Sequence, residues 1–228
     1  MAPTQWKDDD EMRDDAEKKR KRSIASSMGR TVNSVYHIAR SNIWDWFVTL
    51  TFNPEKVDSF DYCLVTKKLS DWLSNMRRSS SSFGYIIVPE QHKSGRYHFH
   101  GLFRDCEGLQ FIPSGKTSSS GVPIYNMGSY RFGWSTATRV TDQAKVTKYI
   151  SKYITKDLCQ VSFGKRRYWA SRNLQDVEVQ EAVLDNDKLR RLVARLERES
   201  SYIKRIECAE VTTTYYELPE EVLLDEDP

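Results

Sequence analysis

The chain has 228 residues, 39% of them hydrophobic and 29% charged, which suits one folded domain with extensions, or two small ones, around a real core. No run approaches the roughly 18 apolar residues of a membrane span, and the N-terminus lacks the apolar stretch of a signal peptide. Four scattered cysteines with no CxxC speak against a disulfide framework or a zinc site, so a cytoplasmic protein is expected. The net charge is +3, yet residues 1–17 carry −5 and residues 217–228 carry −6, leaving +14 on the stretch between. A body that basic suits a polyphosphate partner, because each neutralised phosphate releases counterions.

In chain order, residues 7–22 are a dense charge mix ending in Lys18-Lys19-Arg20-Lys21-Arg22, a solvated helix or a disordered arm. Residues 43–52 are aromatic and β-branched and stop at Asn53-Pro54, which predicts a buried strand. Phe60, Leu64, Val65, Leu69, Trp72, Leu73 and Met76 recur at helical spacing and predict an amphipathic helix laid on a sheet. Residues 83–91 and 97–104 predict two strands joined by a hairpin turn at Lys93-Ser94-Gly95. Residues 105–136, rich in Gly, Ser and Pro, predict a long excursion with short strands, in which Tyr125, Tyr130 and Trp134 are candidates for stacking on nucleic-acid bases. A helix over 142–157, a strand over 167–171, a charged helix over 186–200 and a last strand over 211–218 follow. Strand, helix, strand, strand, helix, strand is the ferredoxin-like order, an α+β fold with an antiparallel sheet and helices packed on one face. Three segments are expected: a charged arm or helix over 1–30, a main domain with C-terminal extension over 31–216, and an acidic tail over 217–228.

Three of the four histidines fall within nine residues: His92, His98 and His100. Side chains alternate along a strand, so His98 and His100 share one face and Phe99 takes the other. If the turn centres on Ser94, Glu90 lies opposite His98 on that face, and His92 shares it. Two imidazoles and a carboxylate suit Mn²⁺ or Mg²⁺ acting as a Lewis acid. Glu90 is the expected third ligand, with His92 as the alternative. In the helix that follows, Tyr149 and Tyr153 stand four apart and share a face, as do Lys148, Lys152 and Lys156. A tyrosine hydroxyl can act as a covalent nucleophile when a neighbouring cation activates it.

Taken together, Phe47-Val48-Thr49-Leu50-Thr51-Phe52, His98-Phe99-His100 and the pairs Tyr149–Lys152 and Tyr153–Lys156 resemble the three motifs of the His-hydrophobic-His endonucleases of rolling-circle replication. The paired tyrosines resemble that family's two-tyrosine branch, found in initiators of small single-stranded DNA phages and related plasmids. Val88-Pro89-Glu90-Gln91-His92 and Arg167-Tyr168-Trp169-Ala170-Ser171-Arg172 extend the likeness over residues 20–175. The resemblance implies a nickase of a single-stranded DNA origin, working in a bacterial host cell. A metal held by His98, His100 and Glu90 would polarise the scissile phosphate. Tyr149 or Tyr153, assisted by Lys152 and Lys156, would form a 5′-phosphotyrosine and free a 3′-OH. The first-motif strand is expected beside the His strand and under the tyrosine helix, with Thr49 and Thr51 structural or substrate-positioning. With no helicase domain in the sequence, a host helicase and polymerase are the expected partners. Gly115-Lys116-Thr117 is not a P-loop, since Gln110 stands where that motif needs Gly. Within the same chemistry a transposase or relaxase is the alternative; outside it, a non-catalytic module binding single-stranded nucleic acid.

Overall fold

The structure is a computed structural model that describes residues 9–153, 162, 164–178, 181–208 and 211–219. Close contacts divide the chain into two units, residues 1–177 and 178–228.

The first unit opens with helix α1 (Asp9–Arg40). The charged segment is therefore helical, and α1 runs through residue 30 without a break. Its first half is solvated and carries exposed i,i+4 pairs, Asp14–Lys18 and Glu17–Lys21. Its second half turns Ile24, Val35 and Ala39 into the core, with Met28 and Val32 packed alongside.

Strand β1 (Trp46–Phe52) alternates strictly, with Trp46, Val48, Leu50 and Phe52 buried. Helix α2 (Tyr62–Ser79) starts where the Asp61 carboxylate accepts from the amides of Cys63 and Leu64, at 2.8 and 3.2 Å. It buries Tyr62, Val65, Leu69, Trp72, Leu73 and Met76. Each such apolar side chain contributes about 1.5–3 kcal/mol by leaving water. Phe60, expected in this stripe, precedes the helix and is exposed.

Strands β2 (Gly84–Gln91) and β3 (Tyr97–Arg104) form the expected hairpin in the expected register, Glu90 opposite His98. The excursion builds β4 (Phe111–Thr117), β5 (Pro123–Met127) and β6 (Gly133–Arg139). Helix α3 (Gln143–Ser151) is capped by Asp142, whose carboxylate accepts from Lys145 N at 2.8 Å. It is shorter than expected: Lys152 and Tyr153 lie in a turn after it, and residues 154–161 are outside the described part. The strand expected near Arg167 is the two-residue β7 (Trp169–Ala170).

These strands form one seven-stranded sheet, in the order β4-β5-β6-β1-β3-β2-β7 with every neighbour antiparallel. The fold is α+β and ferredoxin-like, but helices cover both faces and not one. On the α2 face, Trp72 meets Phe103 and Tyr62 meets Tyr97, with ring centroids 6.2 and 5.1 Å apart. On the other face Tyr153 meets His100. There α1 packs against α3, and Thr147 of α3 donates to the carbonyl of Ala39. Each face of β3 is half apolar, because alternation gives Phe99 and Phe103 to α2 and Leu102 to the opposite side.

The second unit contains helix α4 (Asn186–Glu199), capped by Asp185, and a hairpin of β8 (Tyr202–Cys208) with β9 (Val211–Glu217). No helix among the described residues is long and apolar enough to cross a membrane.

Candidate active site

The site grows from the register of three neighbouring strands. In β1–β3 pairing Thr49 stands opposite His100 and Thr51 opposite His98. Residues directly opposite in an antiparallel pair share a face. Each threonine hydroxyl lies 3.1 Å from the Nδ1 of its histidine. The side chains of β1 therefore hold both rings by Nδ1 and leave Nε2 turned to the site.

Across β2–β3 pairing, Glu90 faces His98, but its carboxylate reaches diagonally to His100, Oε2 to Nε2 at 2.7 Å. The His100 side chain is 8% exposed and that of Glu90 35%, so the contact is shielded on one side only. Burial lowers the His100 pKa; the Glu90 hydrogen bond and charge pull the other way without overcoming it. Burial also lowers His98, helped by the neighbouring His92 and opposed by Glu90. Both imidazoles are thereby favoured in the neutral form that can ligate a metal.

His92, the alternative third ligand, is exposed and hydrogen-bonds Ser94 in the turn. Its ring centroid is 5.6 Å from that of His98. Among the described residues, no three His, Cys, Asp or Glu side chains converge as a formed metal cage. The donor set nevertheless suits a hard divalent ion. Ligands at about 2.1 Å in octahedral positions stand about 3 Å apart, close to the spacing of His100 Nε2 and Glu90 Oε2.

The end of α3 supplies the tyrosines. Tyr153 lies flat on the His100 imidazole, centroids 3.7 Å apart and planes 9° from parallel. Tyr149 meets Tyr153 edge-on at 5.3 Å and Phe47 of β1 at 5.3 Å. Phe47 also stacks against His100 at 6.0 Å. Lys152 Nζ sits 3.6 Å from the Tyr149 ring centroid and 5.8 Å from that of Tyr153. The two tyrosines have different settings: Tyr149 is 38% exposed, Tyr153 8%. Burial raises the Tyr153 pKa well above the usual phenol, as do its hydrogen bond with Tyr149 and the negative charge of Glu90.

Glu90, His98, His100, Tyr149, Tyr153 and Lys152 are thus brought to one place, while Lys156 lies outside the described residues. Sequence reasoning did not single out Phe47 as part of the site. Its signal was the alternation that puts residues 47, 49 and 51 on one face of β1. Of the aromatics expected to stack on bases, Tyr130 is buried and Tyr125 packs edge-on against Trp46 in the core; Trp134 is exposed. Gly115-Lys116-Thr117 lies in strand β4, as its rejection as a P-loop requires.

The class so defined is a ferredoxin-like α+β protein with a carboxylate, two imidazoles and two tyrosines gathered on one sheet face. Residues 45–158, half of the chain and the whole path from β1 through α3, match the family described as replication-associated protein ORF2/gene II protein. The chain belongs to that family, and its role lies in replication, which entails contact with DNA. Neither curated proteins nor solved structures give a match.

Proposed function

We propose that this protein starts DNA replication by nicking a single-stranded origin through covalent attack by a tyrosine. The observation that carries the reading is the seating of Tyr153 on His100, with Tyr149 at its edge and Glu90 on the far side of the imidazole. A purely structural tyrosine pair has no need of a histidine held at Nδ1 and free at Nε2. His98, His100 and Glu90 would hold Mn²⁺ or Mg²⁺, and the ion would polarise the scissile phosphate and stabilise charge developing on it. The tyrosine oxygen attacks phosphorus and gives up its proton. The bond from phosphorus to the 3′ oxygen breaks, and that oxygen takes up a proton. A 5′-phosphotyrosine and a priming 3′-OH result; attack by a 3′-OH on the linkage rejoins the strand.

Tyr149 makes the first cut in this reading. It is accessible without rearrangement and has the Lys152 ammonium beside its ring, whereas Tyr153 must leave a stacked, buried position. Tyr153 then serves the second cut, while Tyr149 still holds DNA.

The test uses pooled single-stranded oligonucleotides, Mn²⁺ and a denaturing gel, followed by mass spectrometry of the trapped peptide. A covalent adduct is expected, lost in His98→Ala and His100→Ala, which keep most of their DNA affinity because phosphate contacts supply it. Tyr149→Phe should slow single-turnover cleavage more than Tyr153→Phe does, and the double variant should form no adduct. Cleavage without any adduct would mean attack by water and would overturn the covalent mechanism. Binding without cleavage in the presence of metal would leave a non-catalytic DNA-binding module.

A further inference from the structure

Pairing of β1 with β6 extends the site sideways. Thr51 stands opposite His98 on one side and opposite Trp134 on the other. Glu90, His98, Thr51 and Trp134 therefore form one row across β2, β3, β1 and β6, with their side chains on the same face. Strand spacing puts Trp134 about 10 Å from His98. Trp134 is 59% exposed, while Trp44, Trp46, Trp72 and Trp169 are each at most 5% exposed.

Beyond Trp134 the same face continues uncovered. Thr136 pairs with Thr49 and is exposed. On β5, Tyr125 points to the core, so Asn126 points to this face; it is exposed, as is its β4 partner Ile112. Arg131 and Lys56 stand exposed at the end of the β1–β6 pair, where Lys56 Nζ donates to the Arg131 carbonyl at 3.3 Å. An indole left in water, flanked by small polar side chains and bordered by cations, fits the flat face of a nucleobase and the phosphates on either side of it.

We propose that Trp134 and the open face of β6, β5 and β4 form the platform on which single-stranded DNA is laid, a base next to the scissile phosphate stacking on the Trp134 indole. This rests on the nicking reading for the position of that phosphate. The occupant is a single strand, because in a duplex the base faces are already stacked on one another.

The experiment follows tryptophan emission of the full-length protein in EDTA during titration with an oligothymidylate about 20 nucleotides long. Wild type and the His98→Ala variant should both be quenched on binding, whereas the matching duplex should quench little. Trp134→Phe should lose the quench and keep most of the affinity, since a phenyl ring still stacks. Trp134→Ala should lose affinity roughly 10- to 100-fold at unchanged thermal stability. An abasic position scanned along a cleavable oligonucleotide should weaken wild type at one position and leave Trp134→Ala indifferent there. Equal quenching by duplex and single strand, or wild-type affinity in Trp134→Ala, would overturn the platform. Nicking that persists beside such a result leaves the nuclease standing. A quench and an affinity loss without nicking support the platform and sink the nuclease alone.

Discussion

At the scale of single residues, the threonine hydroxyls of β1 do something a carbonyl could not. Neutral His100 carries one ring proton. With Nε2–H donated to Glu90, Nδ1 accepts from the Thr49 hydroxyl; with Nε2 given to a metal, Nδ1–H donates to the same oxygen. A hydroxyl serves either tautomer because it both donates and accepts. Thr49→Val keeps the shape and β-branching but removes this partner. It should weaken Mn²⁺ binding about 10- to 100-fold, as losing a partner behind a metal ligand generally does. Paramagnetic resonance of free Mn²⁺ measures this directly; unchanged affinity would confine Thr49 to packing. Much of the candidate site was legible at this scale. Alternation along a strand put His98 and His100 together, and the turn at Ser94 set Glu90 in register. Two things were not legible. Glu90 engages the diagonal His100 because its longer side chain leans along the strand, which register alone does not fix. Spacing made Tyr149 and Tyr153 equivalent; tertiary burial, invisible in a local pattern, separates them.

Among the elements, the excursion between β3 and α3 was least legible. Its Gly, Ser and Pro content reads as loop, yet it forms β4, β5 and β6 and doubles the sheet's width beyond β1. The content has a local cause: the β4–β5 register shifts between Pro113 and Lys116, at Gly115 with φ +73°, and the following turn closes on Ser118 and Val122. Nothing local tells that β6 will pair with β1, a contact between distant segments. Gly133 marks where that pair begins. A Cβ there would stand 2.1 Å from the Thr51 carbonyl oxygen and 2.5 Å from Asn53 N, both backbone atoms that cannot swing aside. Gly133→Ala must therefore prise the strands apart, together with the Asn53 N to Phe132 O hydrogen bond of 2.9 Å. It should cost at least the roughly 1–3 kcal/mol of ordinary overpacking, read from urea denaturation. A variant as stable as wild type would show that β6 is not held against β1 as described.

For the molecule as a whole, charge is distributed by segment and DNA affinity should follow it. Contact with about four phosphates of a single strand should lower affinity on the order of 50-fold over a fourfold rise in salt. Fluorescence anisotropy at two salt concentrations measures it, and a salt-independent affinity would count against a DNA partner. The basic stretch was legible from composition, and so was the α+β order of elements; covering of both sheet faces was not, because α1 carried too few apolar residues in its charged first half to declare where it packs. The hairpin turn between Glu90 and His98 carries one more implication, about inheritance. Its three central residues end in Gly95 at φ +84°, and His92 and Arg96 close it with a hydrogen bond of 2.8 Å. One residue inserted there would turn Glu90 to the opposite face from the imidazoles while leaving the core largely intact. The β4–β5 turn, with the same closing pattern at Ser118 and Val122, fixes no such partnership. Descendants of a common ancestor should therefore differ freely in length at the second turn and keep the first at constant count, so that lineage divergence itself records which hairpin sets the distance between reacting groups.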